Sequence, residues 1–249
     1  MSRVLIVGAT RGLGASLARQ YASRPDVTVY GTTRSDSNGA PKDFPDSVKW
    51  LTGIDLMDSA VGDTLVSQLP DSNSPLSAAL MTAQIVSAGY FATEDFTADR
   101  GPDWGAEQRM YTTSAIAPVF VVHRLARAGL LQRGAKVLLV SSEAGSITLR
   151  HESEGGGNYA HHASKAALNM AGRLLSLDLK GSGVVVGMAH PGFMRTEMTK
   201  NVGFDKYWDA GGAVTPDEAA KTLVEWVDKL DMSKTGEFWA PRGPGECPD

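Results

Sequence analysis

A short apolar run, Val4–Val7, leads straight into Gly8-Ala9-Thr10-Arg11-Gly12-Leu13-Gly14, and the residues that follow place Leu13, Leu17, Ala18 and Tyr21 near helical spacing. This strand, glycine turn and helix constrain the chain more than any other feature. Glycines spaced Gly-x3-Gly-x-Gly let the backbone turn where a Cβ would interfere. The helix after them points the positive end of its dipole back over the turn. Such a turn after a first strand opens a parallel α/β unit and cradles a pyrophosphate. A tight structural turn is the other reading of the glycines taken alone.

The rest of the chain repeats the alternation. Val27–Tyr30, Val48–Leu51, Leu80–Val86, Lys136–Val140 and Val184–Met188 read as strands, with Glu237–Ala240 a short last one. Gly12–Ser23, Ser59–Leu69, Gln108–Leu131 and Asn158–Lys180 read as helices; Pro118 would kink the third and Gly181 end the fourth. Thr215 and Pro216 look like the cap and first position of a helix running to about Leu230. Buried apolar strands alternating with helices predict an α/β fold, a doubly wound parallel sheet with helices on both faces. No linker divides residues 1–249, so one domain is expected, with a Gly/Pro-rich tail at 241–249.

Charge and cysteine content narrow the function. With 24 Lys+Arg against 28 Asp+Glu, the net charge is −4 and no basic stripe is present, which argues against nucleic acid as a partner. The uncharged run Ser72–Thr93 carries Asn73, Thr82, Gln84 and Ser87 and is too polar to span a bilayer. One cysteine, Cys247, rules out an internal disulfide and favours a reducing compartment. These features predict a cytoplasmic protein that acts on a small molecule, without membrane attachment. The five histidines show no metal-ligand spacing, so no metal is expected.

The second strand ends Tyr30-Gly31-Thr32-Thr33-Arg34, and no carboxylate appears until Asp36. A dinucleotide site that takes NAD(H) wants an acid there for the ribose hydroxyls. Arg34, with Arg11 in the glycine turn, would instead grip a 2′-phosphate, which favours NADP(H) over NAD(H). Two ordinary surface arginines are the alternative. Asp55, after the third strand, would cap a helix or contact adenine.

Together these residues resemble the short-chain dehydrogenase/reductase (SDR) family over nearly the whole chain, and most of all its fungal members. The resemblance implies a Rossmann fold of about seven strands and a cofactor site formed by Gly8, Thr10, Arg11, Gly12, Leu13 and Gly14 with Arg34. Asp55-Leu56 resembles the family's adenine-contacting pair. Ser87-Ala88-Gly89 resembles its Asn-Ala-Gly turn, with serine for asparagine. Val140-Ser141-Ser142-Glu143-Ala144-Gly145 resembles the segment bearing the catalytic serine, which maps to Ser142. Pro191-Gly192-Phe193-Met194-Arg195-Thr196 resembles the Pro-Gly turn and the threonine that holds the nicotinamide carboxamide. Ala163-Ser164-Lys165-Ala166-Ala167-Leu168-Asn169 is typical of the family. A homodimer or homotetramer through the two long helices is also implied.

One departure matters. The family's Tyr-x3-Lys pair maps its lysine to Lys165, but four residues earlier stands His161. Residues four apart lie about 40° apart around a helix, so His161 and Lys165 share a face. Tyr159, six residues back, lies about 120° away and cannot take the tyrosine's role on a regular helix. His162 lies about 60° off and is a weaker candidate. Ser114 stands where the family has the asparagine that supports a water beside the lysine. The catalytic set is thus Ser142, His161, Lys165 and Ser114, with two of the four substituted.

Imidazole starts near about 6.5, and a lysine cation beside it pushes it lower. A neutral imidazole can donate a hydrogen bond or act as a base. Three functions fit: an oxidoreductase on a carbonyl/alcohol pair; a non-redox isomerase, dehydratase or cyclase using His161 as acid/base; or a nucleotide-sensing binding protein. His190, before the Pro-Gly turn, is either a polar wall of the site or a structural histidine. Glu143, beside Ser142, either faces the pocket or, as the default for a carboxylate, faces solvent. Residues 193–215, with Phe193, Met194, Met198, Phe204, Tyr207 and Trp208, fall where the family has its substrate lid; they suit either an apolar substrate or packing against the core.

Overall fold

Alternate residues of the apolar runs face opposite ways. Leu5 and Val7 join one buried cluster with Leu65, Val121, Leu125 and Leu168, while Val4 and Ile6 join a second with Leu17, Leu223 and Val227. A strand apolar on both sides is stable only between two layers of helices, and the fold follows from that. The computed structural model describes residues 2–36, 43–70, 75–81, 94, 96–97 and 101–241.

Among these residues the strands are β1 (Ser2–Val7), β2 (Val27–Thr32), β3 (Val48–Leu51), β4 (Leu76–Met81), β5 (Leu131–Val140), β6 (Val185–Ala189) and β7 (Phe238–Trp239). They form one sheet in the order β3-β2-β1-β4-β5-β6-β7, with every pair parallel. Helices α1 (Gly12–Ala22) and α7 (Pro216–Lys229) pack together on one face. Helices α2 (Val61–Gln68), α4 (Ala117–Arg127) and α5 (Tyr159–Lys180) cover the other. This is the expected doubly wound Rossmann sheet. The chain leaves β1 for β2 on one side and β4 for β5 on the other, so strand order reverses between β1 and β4. Beyond the carboxyl ends of strands at such a point lies the crevice where these folds bind ligands.

Three elements differ from expectation by more than two residues. The fourth strand is Leu76–Met81 rather than Leu80–Val86; small Ala78 and Ala79 carry little apolar signal yet pair with β1 and β5, and residues 82–86 lie outside the described set. The long helix expected over Gln108–Leu131 is three pieces: α3 (Trp104–Tyr111), a π turn (Thr112–Ile116) and α4. Pro118 has no N–H to bond back to Ser114, and the turn before it widens. Gly129, at φ +70°, ends α4 four residues early, with the Leu130 N–H donating to the Leu125 carbonyl. The fifth strand therefore starts at Leu131, not Lys136, with a register shift between its pairings to Leu76 and Ala78.

The start of α7 is as expected. Thr215 accepts from the Glu218 N–H while Glu218 accepts from the Thr215 N–H, and Pro216 fills the first turn. A further short helix, α6 (Glu197–Asn201), lies in the segment between β6 and α7.

Candidate active site

The glycine turn sits at the carboxyl end of β1. Gly8 has φ +86°, and its N–H donates to Thr32 Oγ1 at 2.9 Å, which ties the turn to the end of β2. Arg11 precedes α1 in extended conformation, and no side chain caps that helix end. Above the turn lies a cleft of about 580 Å³. Ten of the residues expected at a cofactor site line it: Gly8, Thr10, Arg11, Gly12, Leu13, Gly14, Arg34, Leu56, Pro191 and Thr196.

The expected residues that do not line the cleft are placed as follows. Asp55 sits between the lining residues Ile54 and Leu56, and its carboxylate accepts from the Met57 N–H at 3.0 Å, so it caps a turn ahead of α2. Gly192 takes φ +94° beside Pro191. Ser87, Ala88 and Gly89 lie outside the described residues. The sequence did not single out Thr32, Thr33, Val140, Ser141, Asn201 and Pro216 as cleft walls, while Met194 and Met198 of the expected lid do line it. The Thr-Thr pair just before Arg34 was the available signal.

None of the four catalytic candidates lines this cleft; Lys165 and Ser142 adjoin it through the lining residues Val140 and Ser141. Lys165 is 1% exposed on α5, and its Nζ donates to the Val140 carbonyl at 2.9 Å. Val140 and Ser141 line the cleft, so the lysine abuts it through β5. The Ser141 hydroxyl donates to Asn169 Oδ1 at 2.5 Å, a second tie between β5 and α5. Ser142 opens a one-turn 3-10 helix, Glu143–Gly145, and its Oγ accepts from the Ala144 N–H at 3.2 Å. Gly145 lets that turn press onto α5, because a Cβ there would lie 2.7 Å from the Lys165 carbonyl carbon and the Ala166 nitrogen.

His161 is 8% exposed, one helical turn before Lys165. Burial, with the nearby Lys165, His162 and His190, pushes its imidazole down to about 3. Burial lowers the Lys165 amine to about 7. Both groups thus sit near or beyond the point of losing their charge at neutral pH, which is what burial does to cations. Tyr159 opens α5 at the surface, its ring against Phe96, as the helical arithmetic expects. His162 turns away: its Nε2 lies 3.2 Å from Arg150 Nη1 and its Nδ1 3.1 Å from the Asn158 carbonyl. A guanidinium only donates, so Nε2 accepts and Nδ1 carries the proton. Ser114 is buried in the π turn, which packs on α5, and its hydroxyl points to Met110 Sδ at 3.4 Å.

Glu143 turns toward His190 rather than out into solvent, the default of its two readings. Its Oε2 lies 3.8 Å from His190 Nε2, with the two side chains 27% and 18% exposed. The turn after Ser142 bends the carboxylate inward over the end of β6, a contact that residue spacing does not encode.

The segment 193–215 closes on itself. Met194 bridges Val214, and the Val214 N–H donates to the Phe193 carbonyl at 2.9 Å. Thr196 caps α6 by accepting from the Thr199 N–H, and Trp208 Nε1 donates to Thr199 Oγ1 at 3.1 Å. Among the described residues, no group of three or more His, Cys, Asp or Glu is arranged to hold a metal, and no helix is long and apolar enough to cross a membrane.

The chain is similar to known proteins in sequence and in fold. The family model for short chain dehydrogenase matches residues 2–206. A 1-hydroxy-2-glutathionyl-2-methyl-3-butene dehydrogenase of Rhodococcus sp. (strain AD45) is 27% identical over 238 residues, covering 96% of each chain. The NADPH-bound carbonyl reductase from chicken fatty liver superposes with a TM-score of 0.75 at 21% identity, covering 98% of each chain. The carbonyl reductase Sniffer of D. melanogaster gives 0.76 at 21%, also over 98% of each. With the family model spanning the glycine turn, Ser142 and Lys165, the chain belongs to the short chain dehydrogenase family of oxidoreductases.

Proposed function

We propose that this protein is an NADP(H)-dependent oxidoreductase that interconverts a carbonyl and an alcohol on a small, largely apolar substrate. The observation that carries the reading is the cleft over the glycine turn, with Arg11 and Arg34 on its wall and the buried Lys165 behind it. The residues fit a dinucleotide phosphate. The first turn of α1 has no side-chain cap competing for its N–H groups, and a cleft of several hundred Å³ suits a ligand of that class. Gly8, Gly12, Leu13 and Gly14 would hold the pyrophosphate, Arg11 and Arg34 the 2′-phosphate, and Thr196 with Pro191 the nicotinamide end. Leu56 and Asp55 would flank the adenine. When bound, the cofactor supplies or takes a hydride.

This chain's own residues would do the rest. Ser142 orients the substrate oxygen with its hydroxyl. Lys165 holds the nicotinamide ribose. His161, neutral in its buried site, passes a proton by accepting on one nitrogen and releasing from the other. Ser114 lines the water side of the lysine. Residues 193–215 act as the substrate lid of a single domain spanning 1–249. Exposed Ile116 at the end of the π turn and Phe120 on α4, with Met170, Leu174 and Leu177 on α5, support pairing with a second copy through these helices. The lone Cys247 supports a cytoplasmic setting.

A second reading rests on the same pair. A neutral imidazole beside an amine lowered to about 7 places two proton acceptors together, which suits abstraction of an acidic C–H without redox. Titration calorimetry tests the first reading. Tight NADPH binding with weaker NADH binding is expected; no binding of either overturns it.

A further inference from the structure

Residues 146–158 form a strap between the turn at Glu143–Gly145 and the start of α5. Both ends of the strap meet catalytic candidates: Ser142 caps that turn, and His161 lies in the first turn of α5. Its glycines at 155–157 give it little stiffness of its own, with Gly155 at φ +67° and Gly157 at φ +88°.

Arg150 holds it. Nε and Nη2 both donate to the Gly155 carbonyl, at 3.2 and 2.5 Å, and Nη2 also reaches the Glu154 carbonyl at 3.2 Å. Nη1 donates to the Glu154 carboxylate at 3.0 Å. The same nitrogen crosses to α5 and donates to His162 Nε2 at 3.2 Å. Four bonds thus fold the strap around the guanidinium, and the fifth pins the folded strap to the helix.

That fifth bond depends on one proton. His162 Nδ1 carries its hydrogen toward the Asn158 carbonyl, 3.1 Å away, so Nε2 is free to accept only while the ring is neutral. A proton arriving at Nε2 would turn the acceptor into a donor and set two cations against each other across the same contact. Burial and the Arg150 charge hold His162 below the ordinary 6.5, while the Asn158 carbonyl, Glu154 and Glu94 act in the opposite sense. On its own helix the ring meets His161, centres 5.4 Å apart, which is itself neutral.

We propose that Arg150 is a positioning residue of the candidate active site: with neutral His162 as its anchor on α5 it holds the strap closed, and protonation of His162 releases the strap. No covalent bond changes. Water supplies the proton to Nε2, the Arg150 N–H loses its acceptor, and the strap swings at its glycines. The effect on turnover rests on the carbonyl–alcohol reading above; the release of the strap does not.

The test begins on the full chain without cofactor. Hydrogen exchange, corrected for the intrinsic rate at each pH, should show residues 150–157 losing at least about 10-fold in protection as pH falls through the His162 midpoint that imidazole NMR records. Arg150→Met should raise that midpoint by at least about half a pH unit and leave the strap unprotected at every pH. His162→Gln, which offers Arg150 an acceptor that does not titrate, should keep the strap protected into acid. A strap that stays protected until the whole chain unfolds overturns the proposal, as does an unmoved midpoint in Arg150→Met. His151 is a second imidazole in the strap, and its Nδ1 accepts from the Ser153 N–H at 3.1 Å. A loss of protection that survives His162→Gln and vanishes in His151→Gln assigns the release to the strap's own turn and also overturns the proposal.

The second measurement is NADPH oxidation with a panel of aromatic aldehydes and α-diketones. In the wild type kcat/KM should fall on the acid side at the His162 midpoint. His162→Gln should remove that limb while any step due to Lys165, held at about 7, remains. An acid limb identical in His162→Gln and the wild type overturns the positioning role. A protein that binds no NADPH overturns the oxidoreductase reading instead, and hydrogen exchange and NMR then decide alone whether Arg150 and His162 hold the strap.

Discussion

The Lys165 amine donates to the Val140 carbonyl oxygen at 2.9 Å, fastening the buried side of α5 to the last residue of β5. Val140 walls the cleft and precedes the two serines, so the lysine is tied through the end of β5 to both the cleft wall and the serine turn. Four expectations follow from this construction.

Lys165→Met should stabilise the unliganded protein, and most strongly at low pH. Folding lowers the amine from 10.5 to about 7. Between those values the unfolded chain binds a proton that the folded chain does not, so native stability rises with pH at up to about 1.4 kcal/mol per pH unit. Below about 7 the burial penalty is at its full size. Urea unfolding at pH 6, 8 and 10 should show the advantage of Lys165→Met shrinking as pH rises, and a constant difference would contradict the burial account.

Arg34→Ala should weaken NADPH binding about 10- to 100-fold, the loss expected for charge-assisted hydrogen bonds. NADH affinity should stay within about twofold, because NADH has no 2′-phosphate to grip. Calorimetry with both cofactors checks the difference. Equal losses would mean that Arg34 serves the fold rather than the phosphate.

Gly145→Val should detach the serine turn. The backbone of α5 cannot yield where a Cβ would sit 2.7 Å from it, so the turn must move outward with Ser142 and Glu143. A stability loss of about 1–3 kcal/mol is expected, the range for overpacking. NADPH binding should largely survive, since the glycine turn of β1 is untouched. Thermal melts and calorimetry on one preparation separate the two effects.

Leu174→Glu should convert a dimer to a monomer. Its side chain is exposed between Met170 and Leu177 on one face of α5. A carboxylate in the middle of a buried apolar contact is strongly unfavourable. Sedimentation equilibrium should show the wild type at twice the variant's mass, with the far-UV spectrum unchanged. A monomeric wild type would refute the pairing.

The sheet and most of the cleft were legible because both depend on local pattern. The apolar runs around Val4, Val27 and Val137 are unmistakable, and the glycine turn marks its own position. Ala78 and Ala79 in β4 were not legible: they are strand residues only because β1 and β5 flank them. The break before Pro118 and the stop at Gly129 were written in the chain, but a continuous apolar period over Gln108–Leu131 masked them. The His161–Lys165 pairing followed from helix geometry alone. The Glu143–His190 contact did not, because it joins two loops 47 positions apart through the way β5 and β6 end side by side.

The outer strands of the sheet are also its shortest, four residues in β3 and two in β7. So brief a ladder gives a foreign strand little to template on. Behind β7 lies β6, five consecutive buried residues that would be a far better template if bared. What keeps β7 in place is the stacking of Trp239 on Trp226 of α7, ring centres 5.3 Å apart and planes within 21°, together with the hydrogen bonds from Met188 to Glu237 and from His190 to Trp239. The two tryptophans thus keep the edge of β6 covered, and loss of their stack should be felt in solubility on storage before it is felt in turnover.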